Sequence, residues 1–204
     1  MDILLIFQLI VLYFAIVIHE FSHGLMAYKL GDPTAKNAGR LTLNPIAHID
    51  PFGTVILPLI LIIFKSPFVI GYAKPVPFNP VYFRDKKKGI MLTALAGPLS
   101  NIGLALIFSF LVRLLTIFNI VSSQLVFLCS IVIFLNLLLA FFNLAPFYPL
   151  DGHHIFLSML PVRFYKLKEI LLRHSLIFIA IWIFFIFPYI ASLIRKLTIV
   201  LAGI

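Results

Sequence analysis

The chain has 204 residues, 62% of them hydrophobic and only 11% charged, which excludes an ordinary soluble domain and points to membrane-spanning segments of about 20 apolar residues each. The formal net charge of +9 does not indicate nucleic-acid binding, because the basic residues are confined to gaps between apolar runs, where they read as orientation signals. The single cysteine, Cys129, lies in an apolar run, so neither a disulfide framework nor a thiolate metal site can be built within one chain.

The first apolar run covers residues 3–28 and carries no charge between Ile3 and Ile18. It has no basic segment before it and no small-residue cleavage site, so it is expected to stay as a span. Near its end stands His19-Glu20-Phe21-Ser22-His23. On a helix, residues four apart share a face, so both imidazoles can reach one metal ion. This is the H-E-x-x-H arrangement of zinc hydrolases. Two neutral imidazoles and a third protein ligand hold Zn²⁺ with a fourth position left for water. Zinc lowers the pKa of that water to roughly 7. Glu20, not itself a ligand, would take the water's proton and hand it to the leaving amine. The alternative is that His19 and His23 are polar groups satisfied by packing. Against it, a charged group near mid-bilayer costs about 2.5–3.5 kcal/mol on the insertion scale.

Lys29-Leu30-Gly31-Asp32-Pro33 ends this helix, and Thr34 to Asp50 reads as short strands or extended loop. Residues 52–64 are apolar again, but a helix of about 13 residues covers only about 20 Å of a hydrocarbon core of roughly 30 Å. Lys29, Lys36 and Arg40 precede this piece, and Lys65, Lys74, Arg84, Lys86, Lys87 and Lys88 follow it. With all of them on the cytoplasmic side, the segment enters and leaves on that side and reads as re-entrant, the alternative being a surface hydrophobic hairpin. The prolines of Lys74-Pro75-Val76-Pro77-Phe78-Asn79-Pro80 make the return an extended loop.

A second span is expected over residues 89–118, with Gly97 and Pro98 in its interior and Arg113 snorkelling outward near its far end. Asn101 is a polar side chain at membrane depth, serving either helix–helix hydrogen bonding or the substrate. A third span, residues 125–145, ends at Asn143-Leu144-Ala145-Pro146-Phe147-Tyr148-Pro149-Leu150-Asp151-Gly152. Broken helix and an ionisable residue at the end of a span are expected beside a polar cavity, which makes Asp151 the foremost candidate for the third ligand. His48, Asp50, His153 and His154 compete for that role, and Asp151 could instead cap the next helix. A basic stretch with Arg163, Lys166, Lys168 and Arg173 precedes a fourth span, residues 175–194, which Pro188 should kink. Arg195 and Lys196 then fall on the outer side, against the charge pattern.

The pair His19-Glu20-x-x-His23 and Asn143-x-x-Pro146-x-x-Pro149-Leu150-Asp151-Gly152 resembles the site-2 protease family of intramembrane zinc metalloproteases. Gly97-Pro98-x-x-Asn101 matches a recurring element of bacterial members. The run Gly39-Arg40-Leu41-Thr42-Leu43-Asn44-Pro45-Ile46-Ala47-His48-Ile49-Asp50-Pro51-Phe52-Gly53-Thr54 is similar to a short bacterial subgroup without a PDZ domain, and no stretch here would form such a domain of about 90 residues.

The resemblance implies one Zn²⁺ per chain held by His19, His23 and Asp151, with Glu20 as acid/base and Asn143 positioning substrate. It implies hydrolysis within or near a transmembrane segment of a membrane-protein substrate. The expected fold is one all-α polytopic membrane domain, residues 1–204, with about four transmembrane helices plus the re-entrant or β-like element. The expected setting is the bilayer of a bacterial inner membrane, with the active site toward the cytosol and no nucleic-acid partner. A zinc or ion transporter and a catalytically inactive membrane scaffold are the competing classes. The former lacks paired repeats with matching broken helices.

Overall fold

The structure, a computed structural model, describes residues 3–65, 71–120 and 122–203. Helix α1 (Ile3–Lys29) is followed by the single turn α2 (Thr34–Asn37) and the short apolar helix α3 (Pro51–Ile63). Then come α4 (Lys86–Ile117), α5 (Ser123–Asn143), α6 (Asp151–Met159), α7 (Tyr165–Arg173) and α8 (Ser175–Ala202). Four of these, α1, α4, α5 and α8, are long and apolar enough to cross a membrane. The chain is all-helical, with no strand among the described residues.

Helix α4 is the centre of the bundle and packs against α1, α5, α6 and α8. Ala105, Ile133, Leu137, Ile194 and Ala202 form the core between α4, α5 and α8, and a second cluster sets Trp182 of α8 against Ala145 and Leu150. The opposite faces carry exposed Ile107, Phe110, Phe184 and Phe185. An apolar outer surface of that extent suits lipid, not water.

Of the two readings of Thr34 to Asp50, short strands or extended loop, the strands are not formed among the described residues. Asn44 caps a 3₁₀ turn over Pro45–His48, and Asp50 caps α3 by accepting from the amides of Phe52 and Gly53. Both turns open on prolines, which have no N–H to give a ladder. Residues 52–64 are thus helical through Ile63 and not β-like, and α3 is as short as its 13 apolar residues require. The extended return lies beside this loop, with Tyr72 N–H on the Gly53 carbonyl (3.1 Å) and Lys74 N–H on that of His48 (3.0 Å).

The last span is longer than residues 175–194. A widened turn at Trp182–Ile186 falls where Pro188 withdraws a donor, so the helix absorbs the proline and runs on to Ala202. Arg195 and Lys196 therefore lie within α8, which stops only at Gly203, in the left-handed region at φ 73°. Arg113 does not simply snorkel. Its guanidinium donates to the terminal carbonyls of Val200 (2.6 Å) and Leu201 (3.1 Å) and so closes the end of α8.

Ile133→Ala should destabilise the bundle by about 2 kcal/mol, the low end for a buried isoleucine, because lipid replaces water around the separated helices and the cavity dominates. Thermal unfolding in detergent, followed through the Trp182 environment, checks this.

Candidate metal centre

His19 and His23 project from one face of α1 and are both buried. The Nδ1–H of His19 donates to Asn101 Oδ1 at 2.6 Å. That direction is imposed by the network, since the Asn101 amide nitrogen is committed to the Ala15 carbonyl (3.1 Å) and Asn136 Oδ1 (3.0 Å). The Nδ1–H of His23 donates to the Thr93 carbonyl at 2.7 Å, and a carbonyl can only accept. Both imidazoles are thereby held with Nε2 facing inward, the tautomer and orientation that outer-sphere partners impose on metal-ligating histidines.

The third group comes from the far end of α5. Leu150 takes the N-cap position of α6 without a side-chain bond, so Asp151 is not a cap and its carboxylate is free to turn toward α1. Asp151 Oδ2 lies 2.9 Å from His19 Nε2 and 3.3 Å from His23 Nε2. Two glycines make this approach possible. A Cβ on Gly97 would collide with Nε2 of both His23 and His19, and one on Gly152 would collide with the Leu144 carbonyl oxygen.

The donor set fits a metal ion. Ligand atoms of His19, His23 and Asp151 all lie within 4.8 Å of one another, and they are the one His/Cys/Asp/Glu group of this kind among the described residues. Tetrahedral zinc with bonds of about 2.0–2.1 Å separates its ligands by roughly 3.3 Å, close to the two spacings on Asp151. With both Nδ1 atoms donating outward, the inward nitrogens and the carboxylate are three electron-rich atoms in contact. A cation among them would offset their mutual repulsion. A protein ligand set of two imidazoles and one carboxylate is that of catalytic zinc.

The rivals for the third ligand are engaged elsewhere. His48 is fully buried and donates from Nε2 to the Thr42 carbonyl (2.8 Å), and Asp50 caps α3. His153 packs edge-on against Tyr148 and His154, and burial together with His154 pushes its pKa below the usual histidine value. Asn143 donates to the Leu139 carbonyl of its own helix (3.0 Å). Glu20, half-buried beside His19, accepts from the Val76 amide at 2.8 Å. Asn101 is 0% exposed with every polar atom engaged, so no part of it faces a substrate.

Sequence reasoning missed Thr93 and Asn136. The signal was present for the first: Thr93, Gly97 and Asn101 are spaced by four, one polar and small face on an otherwise apolar helix. Nothing local marks Asn136 as the residue that fixes Asn101. Asn101→Ala should weaken zinc binding by about 10- to 100-fold, and Gly97→Ala should abolish it; competition with a zinc chelator measures both.

Peptidase family M50 matches residues 114–183. The chain is 42% identical over 160 residues to "Putative zinc metalloprotease YwhC" of Bacillus subtilis, an alignment covering 76% of this chain and 69% of that protein. It is 30% identical over 139 residues to "Putative zinc metalloprotease Rip2" of Mycobacterium tuberculosis, covering 68% of this chain and 51% of Rip2. With the protein of the same name from Mycolicibacterium smegmatis it shares 32% over 104 residues, covering 48% and 37%. No solved structure matches the chain. With two histidines and an aspartate gathered in a bundle of membrane-length helices and a relative of this identity and extent, the chain belongs to peptidase family M50, the site-2 protease family of intramembrane zinc metalloproteases.

Proposed function

We propose that His19, His23 and Asp151 hold one Zn²⁺ and that Glu20 is the general base and acid for hydrolysis of a peptide bond within or near a transmembrane segment of another membrane protein. The observation that carries this reading is the meeting of the three ligand atoms, with both histidines locked in the ligating tautomer by Asn101 and Thr93. A zinc ion held there supplies Lewis-acid activation of water and of the scissile carbonyl.

The chain's own residues supply the remaining steps. Glu20 takes the proton of the attacking water on its carboxylate and returns it to the nitrogen of the departing amine, as the cleaved C–N bond separates. Asn101 and Thr93 are positioning residues, because they act through the imidazoles and not on the substrate. Asn143, the last residue of α5, is the proposed substrate contact; its Oδ1 has no partner among the described residues, while its amide is anchored to Leu139. A helical substrate hides its carbonyls in its own hydrogen bonds, so the segment to be cut must unwind before it reaches Glu20.

Orientation follows from charge. Lys29, Lys36, Arg40, Lys74 and the run Lys86 to Lys88 flank the ends of α1, α3 and α4 on the side of the bundle where His23 lies, and positive-inside placement makes that side cytosolic. The reading is of a multi-pass protein of the bacterial inner membrane, with residues 1–204 as one domain, α3 re-entrant, and cleavage in the cytosolic half of the substrate.

Purified protein should cleave a tagged single-span substrate carrying helix-breaking residues. Glu20→Gln should lower kcat by at least about 100-fold at unchanged zinc content, and removal of zinc by a chelator should abolish cleavage reversibly. One zinc per chain without cleavage of several such substrates would sink the proposal. Asn143→Ala should raise KM and leave zinc content alone; unchanged kinetics would remove its substrate role.

A further inference from the structure

The stretch Lys74-Pro75-Val76-Pro77-Phe78-Asn79 runs extended past the first helix, and its two inner prolines have no N–H. Val76 is therefore the single backbone donor between Lys74 and Phe78. That donor is spent on Glu20, from Val76 N to Oε2 at 2.8 Å. The Val76 side chain is buried and seated on α1 where Gly24 leaves room, since a Cβ on Gly24 would come within 2.9 Å of Val76 Cγ1.

The strap is anchored on both sides of Val76. Upstream, Lys74 donates to the His48 carbonyl, and its own carbonyl accepts from the Arg40 guanidinium, which also holds the Ala47 carbonyl. Downstream, Asn79 N–H donates to Asp32 Oδ2 at 2.6 Å, and Asp32 is fully buried with its other oxygen on the Thr34 amide at 2.9 Å. Fixed φ at Pro75 and Pro77 leaves the Val76 amide little freedom to turn away. A carboxylate on an exposed helix face samples several rotamers; one oxygen pinned by a rigid amide leaves Oε1 directed as the proton-accepting oxygen.

We propose that the Val76 backbone N–H is the positioning group of Glu20, and that Arg40 and Asp32 serve catalysis through this strap. The proposal rests on the reading of Glu20 as general base. It assigns a reason to the Pro-Val-Pro sequence: the flanking prolines remove competing donors and stiffen the remaining one. A general base oriented by a third group is the logic of catalytic triads, with a main-chain amide in the third place.

The test replaces the Val76 amide by the ester of 2-hydroxy-3-methylbutanoic acid, which deletes the N–H and keeps the side chain. The ester should lower kcat by about 10- to 100-fold with KM and zinc content unchanged. Asp32→Ala should reproduce the kcat loss. Hydrogen exchange gives a readout independent of turnover. Because Pro75 and Pro77 carry no amide proton, a peptide over this stretch reports Val76, and its exchange should accelerate in Glu20→Ala. Wild-type kcat in the ester, a KM effect in place of a kcat effect in Asp32→Ala, or unchanged exchange in Glu20→Ala would each overturn the proposal. Absence of zinc and of cleavage in the wild type would instead defeat the reading of the site, and the exchange measurement would still decide the Val76–Glu20 contact.

Discussion

Three electron-rich atoms, His19 Nε2, His23 Nε2 and Asp151 Oδ2, meet in a largely buried space inside an apolar bundle. In a medium of low dielectric their mutual repulsion is poorly screened, and an isolated carboxylate there is costly. The arrangement fits a bound cation, and the rest of the structure is the means of bringing the three together. The histidines are four apart on α1, the carboxylate is brought to them by the broken end of α5, and the backbone of α4 passes behind both rings at Gly97.

Helix α4 does more than fill space. Its face of Thr93, Gly97 and Asn101 presents, in order, a carbonyl for His23, an absence of side chain, and an amide oxygen for His19. Asn136 on α5 then settles which way the Asn101 amide points. Four helical positions thus convert two flexible rings into a rigid pair of ligands. Buried polar groups that are fully satisfied in this way specify one geometry, whereas a partly satisfied network would weaken the bundle.

Much of this was legible in the residues. Membrane-length apolar runs fixed the four spans, and the His-Glu-x-x-His and Pro-Leu-Asp-Gly motifs named the groups that the fold brings together. What was less legible depended on distance along the chain. The role of Asn101 follows from His19, 82 residues away, and no local pattern distinguishes a residue that orients a ligand from one that contacts substrate. Between Thr34 and Asp50 alternation allows short strands as well as loop, while Asn44, Pro45, Asp50 and Pro51 favour capped turns. Arg195 and Lys196 look like a boundary of the last span, although no breaker stands between Lys196 and Gly203 and the helix runs on to Ala202.

The ligands are also far apart in order of synthesis. His19 and His23 emerge at the start of the chain and Asp151 only after residue 150 of 204, behind α4 and α5. A nascent chain therefore carries two of the three candidate ligands through most of its translation and insertion, and the third joins them only when the loop after α5 folds back against α1. The candidate metal site is thus complete only once α4, α5 and the loop behind them are in place, so its formation is timed by assembly of the bundle itself.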